Sequence, residues 1–144
     1  MQKVNIYMIS NIHGPKEKDG HYGYVMEMAR ENREPVTLNQ FRKVKATQHG
    51  AEVKMLSEVL GRLTRECELH IYTESTYIAS ALNCWLKKWW EAGWKTAKGE
   101  EVSHMEEWRK IAEILVGYQI TVHLREDHPY KNWLERELVK KGEK

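Results

Sequence analysis

Apolar residues change their period near residue 51, and that change decides what this chain can fold into. Upstream they come in strand-like blocks. Val4-Asn5-Ile6-Tyr7-Met8-Ile9 is dense in β-branched and aromatic side chains, the pattern of a strand covered on both faces. A loop is expected over Asn11–Gly20, with Gly14-Pro15 and Asp19-Gly20 as turn signals. His21–Met28 then alternates as a second strand, Glu31–Pro35 turns, and Val36–Val44 reads as a third, so the first third of the chain is an antiparallel meander. From Ala51 onward Val53, Leu56, Leu60 and Leu63 recur at helical spacing, with Lys54, Glu58 and Arg62 on the outside. Glu68–Thr73 is a fourth strand. Ser75 is placed to cap a helix running through Ile78 and Leu82 to Trp90, broken by Gly93. Ser103 is expected to cap the next helix and Gly117 to end it. Gln119–Leu124 is a fifth strand, and Pro129 opens a last helix bearing Trp133, Leu134 and Leu138. Strand–helix–strand crossovers after a meander imply an α/β fold: a five-stranded mixed sheet with helices on both faces.

Composition narrows the possibilities. The 144 residues suit one domain over 1–144, and 41% hydrophobic with 31% charged residues excludes a collagen, a disordered tail and a coiled-coil rod. No apolar run is long enough to span a bilayer, and Met1–Ser10 reads as a strand, not a signal peptide. Cys67 and Cys84 are too few for a disulfide framework and lack metal-ligand spacing, so a cytoplasmic location is the expectation and both are expected to be buried small hydrophobes. Twenty-three Lys and Arg against 21 Asp and Glu give a formal charge of +2, so any hold on nucleic acid must come from local patches. Six tryptophans stand against one phenylalanine, and five of the six fall between Trp85 and Trp108, which makes that segment a special region. Core packing is the simpler role for each ring. The tail Lys140–Lys144 is expected to be frayed and solvated.

Three stretches carry a likeness to a known family. Ile71-Tyr72-Thr73-Glu74-Ser75-Thr76-Tyr77 is similar to a strand-end motif Thr-Asp-Ser-x-Tyr. Trp85-Leu86-Lys87-Lys88-Trp89 leads into Gly93-Trp94-Lys95-Thr96, and His128-Pro129 stands just before the last helix. In this order they resemble the type-one ribonuclease H family along nearly the whole chain. The resemblance implies a ribonuclease H-like fold and metal-assisted hydrolysis of the RNA strand of an RNA–DNA hybrid. In that chemistry two divalent ions roughly 4 Å apart activate a water and stabilise the leaving oxygen. It also implies Mg²⁺ or Mn²⁺ held by carboxylates, because these hard ions take oxygen ligands.

Carried over residue by residue, the helix glutamate falls on Glu52, the strand-end aspartate on Glu74 and the last-helix aspartate on Glu135. The first-strand aspartate falls on Ile9, which cannot bind a metal. Ser10 stands where the family has glycine, and His49-Gly50 where it has Asn-Arg. A loop histidine of the family falls near Arg125, with His123 and His128 close by. The resemblance therefore implies that Glu52, Glu74 and Glu135 hold a divalent ion with weakened affinity. Asp19 and Glu17, in the loop after the first strand, are the available substitutes for the missing acid.

The segment of about 84–101 corresponds to the family's basic protrusion. Trp85, Lys87, Lys88, Trp94, Lys95 and Thr96 are its candidate nucleic-acid contacts, diluted by Glu91, Glu100 and Glu101. The expected function is recognition of an RNA–DNA hybrid or other duplex, with cleavage weakened or lost. Two alternatives stand beside it: an active metal-dependent ribonuclease H with an altered carboxylate set, and a non-catalytic scaffold for protein contacts.

Overall fold

The computed structural model describes residues 2–142. Its element order is β1 (Lys3–Ser10), β2 (Lys18–Met28), β3 (Val36–Ala46), α1 (Gln48–Leu60), β4 (Glu68–Thr73), α2 (Thr76–Ser80), a π-helical turn (Ala81–Trp85), α3 (Leu86–Glu91), α4 (Met105–Leu115), β5 (Gln119–Leu124) and α5 (Lys131–Gly142). The strands lie in the order β3-β2-β1-β4-β5, with β2 antiparallel to both β1 and β3 and with β4 parallel to both β1 and β5.

Strand β1 alternates between two cores. Val4, Ile6 and Met8 join the main core with α1 and α4, where Val53, Leu56, Leu60, Trp108 and Ile111 are buried. Tyr7 faces a smaller core on the other side, with Val25 and Leu134 of α5 and partly buried Ile9, Phe41, Tyr130 and Trp133. Close approach across the meander depends on Gly23, paired with Phe41 on β3, since a Cβ there would lie 2.4 Å from the Phe41 ring.

Several element ends depart from the sequence expectation. β2 starts at Lys18 rather than His21, because Lys18 to Gly20 extend the ladder opposite Val44 to Ala46. Helix α1 starts three residues before Ala51; Thr47 caps it, its hydroxyl accepting from Gly50 N–H at 3.0 Å. The Ser75 cap is present, accepting from Ile78 N–H at 3.0 Å, but the helix after it is interrupted by the π-helical turn, where Leu86 N–H reaches back to Ala81 C=O. That extra residue changes the angular phase of everything following. Ser103 does not cap α4: His104 occupies the cap position in a left-handed conformation, φ 61°, without a side-chain cap bond. Cys84 is exposed, not buried, because it lies in the π-helical turn on the outer side, whereas Cys67 is buried. Lys140 and Lys141 belong to α5 rather than to a frayed tail; Glu143 and Lys144 lie outside the described residues. No helix among the described residues is long and apolar enough to cross a membrane.

Candidate active site and nucleic-acid face

Parallel strands β1 and β4 end at the same side of the sheet, so their last residues face α1 and the start of α5 across one opening. Ile9 is the penultimate residue of β1, Glu52 projects from α1, Glu74 directly follows β4, and Glu135 stands on α5; all four line one cavity of about 320 Å³. Ser10, Ser75, His128 and Lys131 line it too. Topology thus unites four positions separated by more than a hundred residues of chain. Asp19 and Glu17 are not among its lining residues.

The three acids are not equivalent. Glu52 is 8% exposed, and the Ser75 hydroxyl donates to its Oε1 at 2.8 Å. Burial pushes its carboxyl above the ordinary range; hydrogen bonds from Ser75 and Gln48 and the nearby His49 and His13 counteract this only in part. Ser75 is itself fixed twice, accepting from Ile78 N–H and donating its own N–H to Thr73 Oγ1 at 3.0 Å. Glu74 and Glu135 are exposed. His128 is half-buried against Tyr7, ring centroids 4.5 Å apart, and burial pulls its imidazole below the usual value although Asp127 and Glu74 oppose this.

An all-oxygen carboxylate set is the donor chemistry a hard divalent ion takes. Among the described residues, however, no three His, Cys, Asp or Glu side chains are gathered closely enough to form a ready metal cluster. With isoleucine at the end of β1, the cavity has no fourth acid to share between two ions. Glu52, Glu74 and Glu135 offer the oxygen chemistry that a divalent ion takes, and Ile9 adds no donor to it.

The tryptophan-rich segment divides by burial. Trp108 is fully buried and donates its indole N–H to Tyr77 OH at 2.9 Å. Trp89 and Trp94 are partly buried against the main core, while Trp85 and Trp90 are 42% and 48% exposed, so core packing does not account for every ring. Aromatic contacts run from Trp85 through Trp89, Trp108 and Tyr77 to His49, which stacks on Tyr77 with ring centroids 3.9 Å apart. Beyond α3 the chain forms a small closed loop: Trp94 accepts from Val102 N–H, Lys95 bridges Glu101, and Thr96 N–H bonds to Glu100 C=O. Lys87, Lys88, Lys95 and Thr96 are all exposed, and Trp94 is partly buried at the loop's base.

One cluster escaped the sequence reading. His70 and His123 on neighbouring strands meet Nδ1 to Nε2 at 2.9 Å; Glu68 closes on the far nitrogen of His70 at 2.6 Å, and Glu126 on that of His123 at 3.0 Å. The signal was present as alternation, since residues 68, 70 and 72 share a sheet face, but the register with β5 was needed to pair them.

The RNase H family model matches residues 2–132. The chain belongs to the RNase H family. Among its relatives, the Ribonuclease H of Prosthecochloris aestuarii is 28% identical over 151 aligned positions, covering 96% of this chain and 97% of that one. The Ribonuclease H of Chlorobium phaeobacteroides is 33% identical over 90 residues, covering 60% of this chain and 62% of its relative. In the latter case the match spans less than two thirds of the relative's length. Among solved structures, the type 1 RNase H LC9-RNase H1, described as having the type 2 active-site motif, superposes with a TM-score of 0.74 at 17% identity, covering 96% of this chain and 71% of that one. A foamy viral protease-reverse transcriptase in complex with RNA/DNA hybrid gives 0.71 at 17% identity, covering 98% of this chain and 20% of that one. At such identities the structures establish the ribonuclease H-like fold. RNases H cleave RNA in RNA–DNA hybrids and generally use divalent metals.

Proposed function

We propose that this RNase H domain recognises RNA–DNA hybrid or a related duplex by backbone shape, and that its cleavage of the RNA strand is weak or lost. The observation carrying this reading is Ile9, which stands in the cavity beside Glu52, Glu74 and Glu135 where the family resemblance places an acid. Glu52, Glu74 and Glu135 would hold one Mg²⁺ or Mn²⁺ weakly. When bound, such an ion supplies positive charge against phosphate oxygens and acidifies a coordinated water. This chain's own contribution is positional. Ser75 fixes one Glu52 oxygen, and burial of Glu52 raises the energy of its ionised form until a cation arrives.

Exposed Lys87, Lys88 and Lys95, with Trp85, Trp94 and Thr96, suit contacts to phosphates and sugars that do not depend on sequence. Glu91, Glu100 and Glu101 in the same segment make this grip weaker than that of a fully basic protrusion.

The test follows cleavage and gel retardation of a labelled hybrid with Mg²⁺ or Mn²⁺. Retardation with little cleavage is the expected result, and Ile9→Asp should raise Mn²⁺ affinity at least about tenfold and bring some turnover. Efficient wild-type cleavage that disappears in Glu74→Gln would instead establish an active enzyme with an altered carboxylate set. Absence of both binding and cleavage would leave a scaffold.

A further inference from the structure

Beside the small core that α5 covers, strands β4 and β5 carry side chains joined end to end as Glu68, His70, His123 and Glu126, the last in the loop after β5. The two rings meet Nδ1 of His70 to Nε2 of His123 at 2.9 Å, with centroids 5.2 Å apart, so they join edge to edge. Each ring's other nitrogen faces a carboxylate, at 2.6 Å for Glu68 and 3.0 Å for Glu126. An ionised carboxylate only accepts, so each outer nitrogen must carry a proton, and the inner contact takes a third. Two neutral imidazoles bring two protons. The chain of bonds therefore closes only when the pair holds one added proton in common. Lys3 stands opposite Glu68 on β1, and uncharged Asn5 and Thr121 flank His70. Tyr72 lays its ring on that of His123, 4.2 Å between centroids; His128 meets Tyr72 edge-on, and Glu27 bonds to Asn5. The bond from His70 holds the Glu68 carboxyl below the ordinary range, which keeps it an acceptor.

When the added proton leaves, one of the three contacts must fail. The inner one is the most enclosed, its side chains being 14% and 17% exposed, and two paired strands fix its spacing. Of the outer two, the Glu126 contact is the longer, and its carboxylate is 56% exposed against 43% for Glu68. It also comes from a loop, so it gives way first. Glu126 lies two residues before His128, which packs on Tyr7 and lines the cavity of the three glutamates. Arg125, just before it, holds a left-handed φ of 55° that a residue with a side chain adopts only under restraint.

We propose that Glu68, His70, His123 and Glu126 form a proton-operated latch on the loop between β5 and α5. With the shared proton in place Glu126 is held and His128 is seated at the cavity wall; without it the loop is released. The latched arrangement binds one proton more than the open one, so it gains as pH falls. The latch is independent of the hybrid-binding reading above, since it fixes a wall of the cavity whatever the cavity takes.

Two measurements on the full chain test it. In the first, the imidazole ¹³C and ¹⁵N shifts of His70 and His123 are followed by NMR between about pH 8.5 and about pH 5.5, on either side of ordinary imidazole titration. The two rings should move together and take up one proton between them. Rings that each take up a full proton independently, or that take up none, overturn the proposal. In the second, amide exchange at Arg125 and His128, both hydrogen-bonded in the latched loop, is compared at the two pH values after correction for the intrinsic pH dependence of exchange. Wild-type protection should be about tenfold greater at the lower pH, the size expected for one charge-assisted bond. Glu126→Ala, a change at an exposed side chain, should show the weaker protection at both. His70→Asn places a side-chain amide where Nδ1 stands, which donates to His123 without an added proton, and should keep the stronger protection at both. A Glu126→Ala loop that follows the wild-type pH course, or a wild-type loop equally protected at both pH values, overturns the latch.

Discussion

Helix α1 carries a buried glutamate, Glu52, and a half-buried one, Glu58, and it treats them in opposite ways. Glu58 accepts from Tyr22 OH at 2.7 Å and Tyr24 OH at 2.6 Å, with Arg42 Nε at 3.2 Å. Burial alone would push its carboxyl up, but the bonds from Tyr24 and Tyr22 and the Arg42 charge outweigh this and hold it below the ordinary range. Glu52 is more deeply buried and has no arginine beside it; there burial wins and its carboxyl is held high. One acid is satisfied and fastens a helix to a sheet. The other, bonded by Ser75 and Gln48 but with no cation paired to it, lies buried at the edge of a cavity, where a raised carboxyl marks a candidate functional position.

The most severe way to break this contrast is Glu58→Ala. It removes the acceptor from two tyrosines that are 1% and 0% exposed, leaving buried hydroxyls without partners, and should destabilise the fold by about 3 kcal/mol. Because the folded carboxyl is held low, the stability it contributes is complete above the ordinary carboxylate value and is lost as pH falls through the folded one. Denaturant midpoints of wild type and variant should therefore converge on acidification; a gap that stays constant with pH would show that the carboxylate charge is not what matters.

Ser75→Ala probes the site acid through its one close hydroxyl partner. The serine both caps α2 and donates to Glu52, so the variant loses a cap worth about 1 kcal/mol and strands the carboxylate further. Thermal unfolding should show the loss, and a pH titration should show the Glu52 carboxyl moving higher still. An unmoved Glu52 would mean that burial, not Ser75, sets its state.

Much of this geometry is legible in the residues alone. The change from alternating to helical period located β1 to β3 and α1, and Glu52, Glu74, Glu135 and Ile9, singled out by the resemblance, line one cavity. What escaped notice depends on register or on local backbone geometry. A π-helical turn leaves no mark in apolar spacing, so the exposure of Cys84 and Trp85 could not be read from it. His104 takes a conformation unusual for a side-chain-bearing residue, which displaced the expected Ser103 cap. The partners of Glu58 lie 34 and 36 residues away on β2, and only the packing of α1 across β2 singles it out from the solvated glutamates it resembles in sequence.

The smallest and most discriminating change is Glu52→Gln, because its sign should be opposite to that of Glu58→Ala. Glutamine keeps a carbonyl oxygen to accept from Ser75 while removing a charge that burial disfavours. A carboxyl held above its unfolded value stabilises the fold only while protonated and opposes folding once pH rises through the folded value. The variant should therefore be slightly more stable than wild type at neutral pH, by less than about 1 kcal/mol, and the advantage should fade as pH falls into the carboxylate range. Mn²⁺ adds a second handle: it should raise the wild-type melting temperature more than that of the variant, since the ion relieves the ionised form that glutamine no longer has. A Glu52→Gln protein less stable than wild type across the whole pH range would place Glu52 with Glu58 as a structural acid. It would also remove the reason for treating the cavity at the end of β1 as a site held ready for a ligand.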